Sequence, residues 1–202
     1  MAHAKNDDKL SQYNEFFSIA YKFNINITPL TTEQVTNFDD FTQSMPMPFQ
    51  MASDIELLSQ NSVKKTGATS DLPSEVIYLL NLQSKKVDLL MDYLLSQQDD
   101  SKCRYKANSF GGGGLSFESD EAFSLNQFLE VKIFMLQRHC AIFCYAEVIE
   151  VSPCQEKTGK HIHKVVFHFI RESDRESLVR YSLKEQSKQL QSLANERNNQ
   201  NN

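Results

Sequence analysis

Lys102, Arg104 and Lys106 alternate along an extended run that leads into four consecutive glycines, Gly111, Gly112, Gly113 and Gly114. Alternation puts the three cations on one face of a strand, where they offer an anion a basic edge or simply form a solvated face. Four of the chain's six glycines sit in this one run. Glycine packs nothing in a strand, so the run marks a bulge, a sharp bend, or a place where another backbone or a ligand comes close. We expect the chain to bend here and continue as sheet through Leu115 and Phe117.

Other constellations are poorer in chemistry. His161 and His163 fall on the same side of a predicted strand and Cys140 and Cys144 on one face of the preceding one, but this spacing matches no zinc motif. There is no glycine-flanked serine elbow, no carboxylate pair with a plausible cleft and no phosphate loop, so the sequence predicts a protein that is not an enzyme and needs no metal or cofactor.

Composition narrows the class. A chain of 202 residues, 23% charged and 40% hydrophobic, can bury a core and fits one soluble globular domain. Its net charge of −5 argues against broad nucleic-acid binding, which requires a basic field. No apolar run approaches the roughly 20 residues of a membrane span, and Met1 to Leu10 lacks the apolar centre of a signal peptide. A cytoplasmic protein with reduced Cys103, Cys140, Cys144 and Cys154 is expected.

The elements that position these residues can be read in order. Leu10, Tyr13, Phe16, Phe17, Ala20 and Tyr21 suit a short amphipathic helix or a loop leading into a strand, and alternation from Lys22 to Leu30 predicts that strand. Between Thr31 and Ser70, Pro46 and Pro48 break helical continuity, and Phe38, Phe41, Met45, Met47, Phe49 and Met51 form either a docking surface or a segment packed on the domain body. A short helix is expected over Ser53 to Gln60, capped by Ser53 or Asp54, with a polar loop from Asn61 to Asp71.

The clearest helix runs from Pro73 to about Gln97. Pro73 and Glu75 supply start signals, and Ile77, Leu80, Val87, Met91 and Leu94 follow a heptad interrupted by Ser84. Leu79, Leu82, Leu89, Leu90 and Leu95 widen its apolar surface beyond what one core contact needs. Either it is clamped between internal elements or it pairs with its copy in a second subunit. Strand-like runs follow at Leu129 to Met135, Cys140 to Val151 and Ile162 to Ile170, with Ser152 to Lys160 as a hairpin loop, and consecutive strands on short turns imply an antiparallel sheet curled into a small barrel. Ser173 and Glu176 have capping-box spacing for a last helix carrying Val179, Leu183, Leu190 and Leu193, and the residues from Asn195 read as a polar tail.

The segments KANSFGGGGLSF, AEVIEV and VVFHFIRESDRESLVRYSLKEQSKQL together resemble the PilZ domain, the bacterial receptor module for cyclic di-GMP. The resemblance covers Arg104 to about Leu190, with its more specific part from Phe167 to Arg180. It implies an α+β fold: a six-stranded antiparallel β-barrel whose first strand is 21–30, a helical insertion over 31–100, the rest of the barrel over 101–170 and a terminal helix over 173–194, all one domain, with a disordered tail over 195–202. It is similar to the atypical branch in which a long heptad helix joins subunits, here through Ile77, Leu80, Val87, Met91 and Leu94.

Ligand-competent members carry Arg-x-x-x-Arg ahead of the first strand, where Ser11 to Tyr21 contains no arginine. They also carry Asp/Asn-x-Ser-x-x-Gly on the second strand. Ending that motif at Gly114 places Ser109 and Gly111 at its polar positions, and shifting by one places Asn108 first and Phe110 at the serine. Neither register completes it. The resemblance therefore implies a signalling adaptor of cyclic di-GMP circuits, of motility or biofilm formation, acting through an unknown protein partner and self-association. The alternative is a true receptor that binds cyclic di-GMP around Arg104, Lys106, Asn108, Ser109, Gly111 and Gly114, helped by Arg171 or Arg175.

Overall fold

The computed structural model describes residues 2–16, 18–65, 73–135, 140–154 and 159–200. The chain begins with α1 (Ala2–Glu15), enters β1 (Ile19–Leu30), and then leaves the sheet for a helical insertion. That insertion holds a 3-10 turn (Thr32–Gln34), α2 (Phe38–Ser44), α3 (Met47–Lys65) and α4 (Ser74–Ser96). The remaining strands are β2 (Arg104–Phe110), β3 (Gly114–Ser119), β4 (Phe128–Met135), β5 (Cys140–Pro153) and β6 (His161–Phe169), followed by α5 (Glu172–Gln200).

The six strands close into a barrel in the order β1-β2-β3-β6-β5-β4, every neighbour antiparallel. Alternation explains the interior. Ile25, Ile27, Leu115, Phe117, Leu129, Val131, Ile133, Val165 and Phe167 point inward and are buried. β4 and β5 are apolar on their outer face as well, because Phe134, Ala141, Phe143 and Tyr145 meet Phe41, Met45 and Phe49 of the insertion and Met91 and Leu95 of α4. Phe41 stacks on Phe143 with ring centres 5.7 Å apart, and Phe49 lies 5.8 Å from Phe134. Within the Phe- and Met-rich segment, Phe41, Met45 and Phe49 thus build a second core on the barrel wall, whereas Phe38, Met47 and Met51 stay exposed.

Several sequence expectations are corrected. Ala20 and Tyr21 are not on the first helix, which ends at Glu15; Tyr21 is in the first strand as the 21–30 boundary implies, and that strand starts two residues earlier, at Ile19. Pro48 does not break a helix but sits in the first turn of α3, where its missing N–H has no helical acceptor to lose. Ser53 and Asp54 are consequently interior positions and cap nothing, and the helix runs on through Asn61 to Lys65; residues 66–72, which include most of the expected loop, lie outside the described residues. α5 starts at Glu172 with the Arg171 carbonyl accepting its first amide bonds, so Ser173 is inside the helix, which extends past Asn195 to Gln200.

The insertion is tied to the barrel where it re-enters the sheet. Asn26 of β1, buried, donates to Asp99 Oδ1 at 2.9 Å and to the Asp100 carbonyl at 3.2 Å, and accepts from the Asp100 amide at 2.7 Å. Three bonds from one side chain fix the direction in which α4 ends and β2 begins.

Candidate functional site

The glycine run is a hairpin and not a bend within one strand. Gly111 N–H donates to the Gly114 carbonyl at 2.9 Å, and the chain reverses from β2 into β3. The Gly113 carbonyl accepts from the Phe167 amide of β6 at 2.9 Å, and the Gly112 carbonyl from Arg175 Nη1 of α5 at 2.7 Å.

Close approach explains the residue type. A Cβ on Gly113 would lie 2.5 Å from the Gln12 carbonyl oxygen of α1, and one on Gly112 would lie 2.6 Å from both Phe16 and Val179. α1 therefore lies directly over the hairpin. Its seat is strengthened by Tyr13, buried against Ile149 and Val166, by Gln12 Nε2 donating to the Phe167 carbonyl at 3.3 Å, and by Lys9 paired with Glu147 at 2.5 Å. Tyr13 and Phe16 stand on the apolar face of the first helix expected from sequence, but nothing in one sequence says that this face meets the glycines.

The sequence-predicted ligand residues are divided by the structure. Ser109 Oγ and Ser116 Oγ share a hydrogen bond of 2.6 Å beside the hairpin. Asn108, Arg104 and Lys106 line a separate outer groove of about 420 Å³ together with Lys22, Lys160, Glu118 and Asp120. Within it Arg104 Nε pairs with Asp99 at 2.9 Å, Lys106 Nζ donates to Asn24, and Lys160 pairs with Asp120 at 3.1 Å. Arg171 pairs with Asp174 at 3.0 Å and donates to the Phe49 carbonyl at 3.2 Å, while Arg175 is committed to Gly112 and lies 5.7 Å from the centre of the Phe16 ring.

Burial governs the titratable groups. It pushes the Cys144 thiol up, and Cys144 Sγ points to the Val131 carbonyl at 3.7 Å inside the barrel. His163 is lowered to about 4, chiefly by burial and then by His161, and accepts the Phe123 amide on Nε2 at 3.0 Å. Burial also raises the Asp174 carboxyl, against the lowering effect of Ser53 and Arg171. Among the described residues no three His, Cys, Asp or Glu side chains converge on a metal position. The side chain of Cys140 lies outside the described residues.

α4 presents a different kind of surface. Its carboxyl-terminal Met91 and Leu95 are buried in the second core, 5% and 0% exposed. Met91 is thereby removed from the expected intersubunit seam. Ile77, Leu80, Val87 and Leu94 remain exposed, and so do Tyr78, Leu79, Leu89 and Leu90, with Leu80 at 58% and Leu90 at 64%. Along about 25 Å of helix, from Ile77 to Leu94, apolar side chains open to water on several sides.

The family model described as the PilZ domain matches residues 83–184. Among solved structures, a tetrameric PilZ domain from Xanthomonas campestris, self-assembled via a helical bundle, is similar over 90% of this chain and 96% of its own, at 13% identity and a TM-score of 0.54. The PilZ domain of YcgR from Escherichia coli, solved with c-di-GMP, matches 48% of this chain and 83% of its own at 11% identity and a TM-score of 0.37. The Bacillus subtilis inhibitor of motility, MotI/DgrA, matches 42% of each chain at 17% identity and a TM-score of 0.39, so the alignment spans less than half of that protein. No curated protein matches the chain in sequence.

Proposed function

The chain belongs to the PilZ domain family, a family of cyclic di-GMP-binding modules, and from that premise we propose that it is a non-enzymatic signalling adaptor that works through self-association and protein contacts. The observation that carries this reading is α4, whose exposed apolar residues from Ile77 to Leu94 have no partner surface large enough within the described chain. Burying them against α4 of further copies removes that surface from water, and the helical-bundle tetramer of the Xanthomonas campestris PilZ domain supports a fold of this extent assembling in such a way. The glycine hairpin supports the other half of the proposal. Where the family's second-strand motif falls, the chain's own α1 takes up the surface, and Arg175 and the Phe167 amide take up the Gly112 and Gly113 carbonyls.

Light scattering across a concentration series tests the assembly. The wild type is expected as an oligomer, and Leu80→Glu with Leu90→Glu, both at exposed positions, as a folded monomer with an unchanged helical circular-dichroism signal. A wild type that stays monomeric at high concentration overturns the reading.

The second reading, a cyclic di-GMP receptor, is favoured by the outer groove with Lys22, Arg104, Lys106 and Lys160. Calorimetric titration with cyclic di-GMP, with cyclic di-AMP as a control for general anion binding, separates the two. The adaptor reading expects no saturable heat and no functional effect of Arg104→Glu. The receptor reading expects guanine-specific binding that this charge reversal abolishes. A cytoplasmic setting and the absence of any cofactor belong to the same proposal; among the described residues no helix is long and apolar enough to cross a membrane.

A further inference from the structure

The first turn of α5 grips two structures at adjacent positions. Arg175 Nη1 donates to the Gly112 carbonyl at 2.7 Å, and its guanidinium faces the Phe16 ring that closes α1 over the hairpin. One residue earlier, Asp174 is buried and accepts from Ser53 Oγ of α3 at 2.6 Å. Arg171 braces that carboxylate at 3.0 Å and donates to the Phe49 carbonyl of α3 at 3.2 Å, and Arg180 pairs with Glu56 of α3 at 3.0 Å.

These ties are directional. A hydrogen bond weakens steeply with misalignment, and a buried carboxylate that loses a donor is left with its desolvation cost uncompensated. Val179, on the next turn, is pressed against Gly112 itself, so the hairpin and α5 cannot shift independently. Packed helices move as units between discrete arrangements, and a small displacement at one end appears at the other.

We propose that the first turn of α5 is a coupler: engagement of the glycine hairpin by Arg175 sets how firmly α3, and the α4 that follows it, is held on the barrel. The input surface is the hairpin under α1, and the output is the insertion that carries the exposed apolar helix. The coupling does not require the assembly reading, because it is measurable in the Leu80→Glu, Leu90→Glu background whether or not the wild type oligomerises.

Amide hydrogen exchange on the full chain tests it from both ends. Arg175→Gln should speed exchange in peptides covering Phe49 to Glu56 by about fivefold or more relative to the barrel amides of β5, although the substituted side chain faces the hairpin and not α3. Coupling is reciprocal, so Ser53→Ala should speed exchange at Gly111 to Gly114 by a similar factor. A denaturant double-mutant cycle of the two should deviate from additivity by about fivefold in the folding constant, where independent sites give a factor near one. If Arg175→Gln does not fold, Arg175→Lys keeps the cation, loses the guanidinium fork and closes the same cycle. Acceleration confined to each variant's own end, or an additive cycle, overturns the proposal.

Discussion

Gly114 approaches Val165 of β6 so closely that a Cβ on the glycine would lie 2.0 Å from the Val165 carbonyl oxygen. The glycine is held there by the β3–β6 ladder, in which Gly114 is opposite Val166 and Leu115 opposite Val165, so it cannot retreat without unzipping that edge of the barrel. Gly114→Ala is therefore expected to cost more than about 4 kcal/mol or to prevent folding. Gly113→Ala, which meets the α1 backbone, should rank next, and Gly112→Ala should be mildest because Phe16 and Val179 are side chains that can turn away. Chemical denaturation of the three variants reads the order, and a Gly112→Ala costlier than Gly114→Ala contradicts it.

Asn26 makes three hydrogen bonds across the junction of α4 with β2. Asn26→Ala leaves the Asp100 amide without its acceptor and should cost about 2 kcal/mol. Faster amide exchange at Asp99 to Cys103 than in β5 would place the loss at this junction, and uniform exchange would refute the local role.

His163 gives the protein a pH dependence with a definite sign. It is lowered from 6.5 to about 4 by burial and then by His161, its ring stacks on Phe117 at 4.9 Å, and its Nε2 accepts from Phe123. The folded state thus resists the proton that the unfolded chain accepts. Stability should be unaffected by this group above about pH 6.5 and should fall as pH drops from there towards 4, by on the order of 3 kcal/mol in all. His163→Gln, which can still accept the Phe123 amide, should flatten that part of the profile in urea melts taken from pH 7 to about pH 4. An unchanged slope in the variant assigns the dependence elsewhere.

Met91 and Leu90 are neighbours with opposite roles. Met91 is buried against the second core and Leu90 is 64% exposed. Met91→Ala should cost about 2–5 kcal/mol in the monomer, whereas Leu90→Ala should leave monomer stability within about 0.5 kcal/mol and act on association alone. Melts in the Leu80→Glu, Leu90→Glu background against the wild type separate the two effects.

What the sequence discloses follows from how local each signal is. β5 and β6 are legible by alternation, and α4 by Pro73 and its heptads, because those patterns lie within one element. The start of α3 is hidden because a proline reads as a breaker unless its position in the first turn is known. The hairpin reads as a bend because the residues that demand glycine, Gln12, Tyr13 and Val165, are distant in sequence. Alternation already sets Phe134 on the face of Glu130 and Lys132, but that Phe134 and Phe143 meet the insertion there is decided by distant packing and not by residue type. Of the candidate site, Arg104, Lys106 and Asn108 fall together in one groove, but their separation from the glycines appears only in three dimensions.

β1 has β2 on one side and β4 on the other, and both come after the entire stretch of residues 31–103. A chain emerging from the ribosome must therefore hold its first strand unpaired until β2 has followed the whole insertion, and its other edge open until β4 exists, with an apolar face and open amide groups in the meantime. Closing that long connection costs entropy before any ladder bond repays it, so slow refolding with β1 as the last strand to dock is expected. The helical insertion, placed where it is, makes the earliest strand of the barrel the one that waits longest, and the period of waiting is when this protein is most exposed to misassembly.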